Sequence, residues 1–190
     1  MENLEDDVEA TINYLISKQE DFDKVMQISR EIIRESAQAI TYIHIGRDPS
    51  KLIKELDSKV AELKRIDKDF KYNTLQAYQE YSEAMILYGI KNGREIPTQK
   101  AVGVDNDAYL MGLMDAVGEL KREIIDCLSA GKIKDAEFYF EKMRNIYDST
   151  RSIRFAEAVL QGFRHKQDTA RIQIENAGSE ILSFKGRVAK

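Results

Sequence analysis

The segment Asp107–Arg122, DAYLMGLMDAVGELKR, decides the fold class of this chain. At about 100° per residue, the apolar residues here fall on one side of a helix. With the next apolar position they are Leu110, Leu113, Met114, Val117, Leu120 and Ile124. Asp115 and Glu119 lie four residues apart on the opposite side, and Asp115 has no lysine four residues before or after it. The segment therefore predicts an amphipathic helix whose acidic side is not a ladder of surface ion pairs.

Two glycines, Gly112 and Gly118, lie within this predicted helix. Glycine in a helix interior costs about 1 kcal/mol relative to alanine. Such a cost is usually offset where another backbone comes too close for a Cβ atom. Gly112 shares the side of the helix that carries Asp115 and Glu119. We therefore expect a second helix to pack closely against this one.

The rest of the chain also favours helices, because apolar residues recur at helical spacing and no strand alternation or internal repeat is visible. The predicted helices cover residues 3–45, 51–66, 73–91, 107–129, 133–151 and 154–184, with a short helical turn at 98–103. The sequence therefore predicts an all-α protein of six to seven helices, folded as one domain over residues 1–190.

The first predicted helix, residues 3–45, is too long for one small bundle to cover. At about 1.5 Å of rise per residue it would extend about 60 Å. Its apolar stripe begins near the N-terminus, with Leu4, Val8 and Ile12. An apolar stripe on an uncovered length of helix predicts an interface between subunits.

The composition excludes several classes of protein. With a net charge of −4 there is no globally basic surface, so any contact with nucleic acid must use local patches. The single cysteine, Cys127, excludes an intramolecular disulfide and a cysteine-based zinc site. No apolar run approaches the roughly 20 residues that span a bilayer, and the acidic N-terminus has no signal-peptide core. We therefore expect a cytoplasmic protein without membrane association.

A second pair of carboxylates, Glu80 and Glu83, lies on the predicted helix 73–91. The uncharged run Ala84–Ile90 follows Glu83, so most of the helix is covered there. An ionised carboxylate beside a core is costly unless it is paired or metal-bound. If helices 73–91 and 107–129 pack together, four carboxylates converge, and protonation or divalent cations must offset their repulsion. Carboxylate ligands suit Mg²⁺ or Mn²⁺, which can assist cleavage of a phosphodiester.

Two other interpretations compete with a magnesium site. Carboxylate pairs at these spacings are more typical of solvated helix faces. A di-iron site of the ferritin type requires Glu-x-x-His, and neither His44 nor His165 follows a glutamate at that spacing. Both histidines are instead predicted to be hydrogen-bonding residues of the surface.

Three segments of the chain resemble the translin family, and most closely its nuclease-bearing branch, translin-associated factor X (Trax). They are QEYSEA at 79–84, DAYLMGLMDAVGELKREIIDCLSAGKI at 107–133 and HKQDTARIQIENAGSEIL at 165–182. In the nuclease branch the catalytic, metal-binding acids fall in the first two segments. The resemblance therefore implies that the metal ligands and catalytic residues are Glu80, Glu83, Asp115 and Glu119.

The same resemblance implies a Mg²⁺- or Mn²⁺-dependent endoribonuclease that cleaves single-stranded or nicked RNA. Family members enclose a hollow shell of eight seven-helix subunits, with the active sites facing inward. A compact prokaryotic or archaeal homologue that forms a homo-octamer is the expected form, and a second, translin-type subunit remains an alternative. The rival hypotheses are a non-catalytic, translin-like oligomer that binds single-stranded RNA or DNA, and a purely structural helical oligomer.

RNA binding requires basic groups near the acids. Lys121 and Arg122 lie within one turn of Glu119, and Arg30 and Arg34 form an i,i+4 pair on the first helix. These four are the predicted RNA contacts, although such charges are usually only solvated. A looser basic group, no better supported, consists of Arg151, Arg154, Arg164 and Lys166. Three tyrosines at helical spacing are predicted to belong to the core rather than to stack on bases; they are Tyr78, Tyr81 and Tyr88.

Overall fold

The structure is a computed structural model that describes residues 3–93 and 95–188. These residues form seven helices and no strand, which confirms the all-α prediction. The helices are α1 Leu4–His44, α2 Ser50–Ile66, α3 Lys71–Lys91, α4 Gln99–Val102, α5 Asn106–Ser129, α6 Ile133–Thr150 and α7 Phe163–Val188. The first six begin and end within two residues of their predicted positions. In the described ranges, no helix has the length and apolar character needed to cross a membrane.

The last helix begins later than the predicted 154–184. Residues 151–162 form turns and irregular backbone, and α7 starts at Phe163. The preceding residue, Gly162, has a φ of +75°, a left-handed conformation that cannot continue a right-handed helix. Its backbone N–H donates to the Glu157 carboxylate at 2.5 Å, which closes the turn. Local turn geometry therefore overrides the helix-forming residues that precede it.

α5 is the central helix and packs against α3, α6 and α7. Its apolar side is buried along its length, as the opening stripe predicts; the residues are Leu113, Met114, Val117, Leu120 and Ile124. Full burial of each such side chain contributes about 1.5–3 kcal/mol of hydrophobic stabilisation. The tyrosines of α3 also belong to the core, since Tyr78 and Tyr81 are buried and Tyr88 is half-buried.

The backbones of α3 and α5 touch at Gly112. A Cβ atom at this position would lie 2.6 Å from the Cβ of Ser82 and 2.9 Å from the carbonyl oxygen of Gln79. Gly118 differs, because its nearest neighbour is the side chain of Gln173 on α7, at 3.4 Å. The predicted backbone approach is therefore confirmed at Gly112 and wrong at Gly118. The contact at Gly112 sets the acidic sides of α3 and α5 against each other.

Only the second half of α1 is covered by other described helices, chiefly α3 and α2. The first buried residue of α1 is Val25. Phe22, one turn earlier, is half-buried against Phe70. Nearer the N-terminus the apolar residues are about half exposed or more; they are Leu4, Val8, Ile12, Leu15 and Ile16. About 18 Å of helix, from Leu4 to Ile16, therefore carries a largely exposed apolar stripe.

Candidate functional site

A cleft of about 490 Å³ opens between α3, α5 and α7. Its walls include Glu80 and Glu83 from α3 and Asp115 and Glu119 from α5. The backbone contact at Gly112 explains this arrangement, because it brings the part of α3 that carries Glu83 against α5 three residues before Asp115. The four acids predicted to converge therefore line one cavity.

Glu80 and Glu83 of α3 lie close to other acids. Among the described residues, neither of these two side chains has a hydrogen-bonded partner. Burial raises the pKa of Glu83 to about 8, and the charges of Asp115, Glu80 and Glu119 add to the shift. Burial, followed by the charge of Asp115, also raises the pKa of Glu80. Negative charge is therefore under-compensated here, and Glu83 carries a proton near neutral pH unless a cation offsets the charge.

Asp115 is contacted by two donors. The side-chain amide of Gln79 donates to Oδ2 at 2.6 Å. The ammonium of Lys166, from the first turn of α7, forms an ion pair with Oδ1. The positive charge of Lys166 also opposes the rise in the pKa of Glu80 and of Glu83. The cation paired with Asp115 thus comes from the loose basic group and not from the four predicted RNA contacts.

Glu119 is held by a histidine that was predicted to lie at the surface. The side chain of His44, at the end of α1, is only 2% exposed. Its Nε2 lies 2.5 Å from Oε2 of Glu119, and its Nδ1 lies 2.7 Å from Oε1 of Glu123. These hydrogen bonds raise the pKa of His44 to about 9, so the imidazolium donates to both carboxylates. The surface prediction is wrong for His44, whereas His165 is exposed at the mouth of the cleft as predicted.

Glu123 is a buried acid that the sequence did not single out. It is 3% exposed and accepts a hydrogen bond from the Lys91 ammonium at 2.5 Å as well as one from His44. Burial alone would raise the pKa of Glu123, but these two partners outweigh it and lower the pKa. The hydrogen bond from His44 likewise lowers the pKa of Glu119. The available signal was the four-residue spacing, which continues from Asp115 through Glu119 to Glu123.

The four basic residues predicted to contact RNA do not line the cleft. Arg122 lies beside the cleft, with its Nη1 3.9 Å from Oε2 of Glu119. The Nζ of Lys121 lies 3.9 Å from Oε1 of Glu180. Arg30 and Arg34 are exposed on α1. Their contact with RNA stays a prediction.

The cleft suits a hard divalent cation in its donor type and its charge, but its side chains are not preset around one. Among residues 3–93 and 95–188, no three histidine, cysteine, aspartate or glutamate side chains are grouped as metal ligands. The reason lies in the contacts above, because Lys166 and Gln79 engage Asp115 while His44 engages Glu119. Carboxylate oxygens are nonetheless the ligands that Mg²⁺ prefers, and the raised pKa of Glu83 reflects negative charge that a cation would offset.

No protein-family model matches the chain. An uncharacterised protein of Methanocaldococcus jannaschii is 29% identical over 185 residues, which are 94% of this chain and 83% of that protein. The structure of AfC3PO has a TM-score of 0.86 at 26% identity, covering 96% of this chain and 99% of that one. AfC3PO in its complex with duplex RNA has a TM-score of 0.81 at 28% identity, covering 95% and 97%. Apo-NeC3PO is similar in fold, with a TM-score of 0.80 at 24% identity over 97% of this chain and 98% of that one.

Proposed function

We propose that this chain is a member of the translin/C3PO family, as its similarity to AfC3PO supports, and that it is a metal-dependent endoribonuclease. Its substrate is single-stranded or nicked RNA, its cofactor is Mg²⁺ or Mn²⁺, and it acts in the cytoplasm. One observation carries the proposal. Four carboxylates from two helices line one cleft, and Glu83 among them has a pKa raised to about 8 by burial and by its acidic neighbours.

In this proposal Glu80, Glu83, Asp115 and Glu119 hold the cation. When bound, such a cation supplies activation of a water molecule and shielding of the charge that builds on the phosphate. The chain itself contributes the position and protonation of the acids. Glu83 must release its proton for its oxygens to act as ligands. The His44 imidazolium fixes the orientation of Glu119 from behind.

We further propose that the exposed stripe of α1 is covered by other copies of the subunit, giving a hollow homo-octamer. The stripe extends over about 18 Å of helix, from Leu4 to Ile16, and a contiguous exposed apolar patch of this kind marks an interaction surface. The structurally similar AfC3PO has been solved in a complex with duplex RNA, which supports RNA as the ligand of this chain. Light scattering should give about eight times the 21.8 kDa subunit mass, and a monomer would contradict the assembly.

The nuclease proposal is tested by incubating the purified chain with labelled single-stranded and nicked RNA, in Mg²⁺ or in EDTA. We expect cleavage in Mg²⁺ alone, and its loss in Asp115→Asn while the oligomer persists. Asp126→Asn is the matched control, because Asp126 is an exposed acid of the same helix outside the cleft. Equal cleavage by the two variants would refute the assignment of the site.

A specific observation favours the rival function of a non-catalytic RNA-binding oligomer. Asp115 and Glu119 already have cationic partners, Lys166 and His44, within the same chain. If these ion pairs persist, the cleft binds no divalent cation and the acids only stabilise the fold. This alternative predicts RNA binding that is unaffected by Mg²⁺ or EDTA, without cleavage under either condition.

A further inference from the structure

Lys166 occupies a particular place in the cleft. Its ammonium pairs with Oδ1 of Asp115, while Gln79 donates to Oδ2, so both oxygens of this carboxylate are engaged. The side chain of Lys166 is 28% exposed and that of Asp115 is 22% exposed. The ion pair therefore lies at the boundary between the interior of the cleft and solvent, where a lysine can leave without crossing the core.

Among the described residues that line the cleft, Lys166 is the only lysine or arginine. It faces Asp115 directly, and it opposes the rise in the pKa of both Glu80 and Glu83. The other nearby cations lie at Glu119 and Glu123, further along α5. His44 contacts both carboxylates, Lys91 contacts buried Glu123, and Arg122 Nη1 lies 3.9 Å from Oε2 of Glu119. The acids of α3 and Asp115 thus share one internal counter-ion.

A divalent cation and this ammonium compete for Asp115. Both oxygens of the carboxylate are already engaged, and a cation bound to either would lie close to the ammonium, where two positive charges repel strongly. Lysine carries its charge on a flexible four-carbon stem, so the ammonium can swing outward. A displaced ammonium at the wall of an RNA-binding cleft is suited to a phosphate oxygen, which lysine binds as a point charge.

We propose that Lys166 is an exchangeable counter-ion: it holds Asp115 in the metal-free protein, yields that place to a divalent cation, and then contacts a phosphate of the RNA. This inference rests on the proposed function. It assigns to one residue two effects of opposite sign, because Lys166 weakens binding of the metal and strengthens binding of the substrate.

The test compares Lys166→Ala with the wild-type oligomer, using Mn²⁺ alone as the probe. In EDTA the variant should melt at a lower temperature, because the acids have lost their counter-ion. The Mn²⁺ dissociation constant, measured by electron paramagnetic resonance without RNA, should fall by about three- to tenfold. A residue with a merely structural role would lower stability and weaken metal binding together. Mn²⁺ binding that is unchanged or weaker in Lys166→Ala therefore overturns the inference.

The second arm measures RNA cleavage at saturating Mn²⁺. Lys166→Ala should lose about tenfold or more in kcat/KM, although its metal site is full, and Lys166→Arg should recover part of the loss. Unchanged kcat/KM in Lys166→Ala would overturn the phosphate contact. Lys185→Ala is the control, since Lys185 lies on the same helix in an ion pair with Glu137 and outside the cleft; it should behave as wild type in every measurement.

The two proposals fail in distinguishable ways. Wild-type protein that binds Mn²⁺ and cleaves RNA, with a Lys166→Ala variant that binds Mn²⁺ no more tightly, overturns the role of Lys166 alone. Wild-type and variant proteins that both fail to bind Mn²⁺ overturn the nuclease proposal and this inference together.

Discussion

The two ends of the acidic cleft balance their charges differently. We call one end the closed end, where two acids meet two cations in a hydrogen-bonded group that reaches the cleft through Glu119; its members are His44, Lys91, Glu119 and Glu123. We call the other the open end, where three acids share one partly exposed cation; its members are Glu80, Glu83, Asp115 and Lys166. At the closed end the pKa of Glu119 is lowered from its ordinary value, whereas at the open end the pKa of Glu83 is raised.

This difference separates a structural network from a binding site. At the closed end each charge has a partner in the fold, so the network joins α1 and α3 to α5 and needs no ligand. At the open end the fold leaves negative charge uncompensated, which costs stability in the absence of a ligand. Strongly perturbed carboxyl groups in a cleft are typical of functional sites. We therefore expect variants of the open end to change activity most, and variants of the closed end to change stability most.

The largest effect is expected for Glu83→Gln at the open end. Removal of a metal-ligating carboxylate should lower RNA cleavage in Mg²⁺ on the order of 10³-fold. The same variant should be the more stable protein in EDTA above about pH 8. The folded-state pKa of Glu83 is raised, so its contribution to stability is fully present below about pH 4.5 and is lost as the pH rises through 8. Loss of stability together with activity would contradict the comparison.

The closed end should give the opposite pattern in His44→Ala. Removal of the imidazolium takes from Glu119 its hydrogen-bonded cation and leaves the buried Glu123 with Lys91 alone, so the free energy of unfolding should fall by about 2–4 kcal/mol. Cleavage should fall only about 10- to 100-fold, because His44 acts through the orientation of Glu119. Chemical denaturation in EDTA and initial cleavage rates at a temperature where the variant is folded measure the two effects. A variant with wild-type stability would show that the closed end is not a structural network.

A smaller effect is expected in the dependence of the free energy of unfolding on pH. His44 has a folded-state pKa raised to about 9, so its stabilising contribution is complete below about pH 6.5 and is lost as the pH rises through 9. The wild-type free energy of unfolding in EDTA should therefore decline from pH 6.5 to 9. In His44→Gln this decline should be shallower, while the part due to Glu83 remains. An equal slope in the two proteins would show that His44 is not protonated in the fold.

The smallest effect is expected from the glycines of α5. Gly112→Ala should destabilise by about 1–3 kcal/mol, because the new Cβ meets the backbone of α3 next to Glu83, at the open end. Gly118→Ala should lie between neutral and about 1 kcal/mol more stable, since its Cβ meets only the movable Gln173 amide and alanine favours the helix. Thermal melting of both variants in EDTA compares them. Equal destabilisation would contradict the packing of α3 against α5.

The sequence was sufficient for the elements that follow from local periodicity. The apolar stripe of α5 and the glycine at position 112 predict the central helix and its close neighbour. The spacing of the four acids predicts that they converge if the two helices pack together, and the resemblance implies their role as metal ligands. The structure added contacts made over long distances along the chain. His44 approaches Glu119 across 75 residues, and Lys166 approaches Asp115 across 51. No spacing rule connects such pairs, so a buried bridging histidine and a surface histidine look alike in sequence.

The start of α7 also could not be predicted from sequence spacing, although here the residues involved are close together in the chain. The residues before Gly162 have ordinary helix-forming character, and the sequence alone does not show that Gly162 takes a left-handed conformation. That turn matters for the site, because it sets where the first turn of α7 begins and thus brings Lys166 to the cleft.

The central claim is that the open end and Glu119 together hold a divalent cation. A crystal structure of the wild-type oligomer grown with Mn²⁺, with anomalous diffraction collected to locate the metal, tests it most directly. We predict a manganese peak within the cleft, contacted by oxygens from both α3 and α5, with the Lys166 ammonium displaced from Asp115. A cleft without a peak, in protein that cleaves RNA in the same Mn²⁺ solution, would contradict the account.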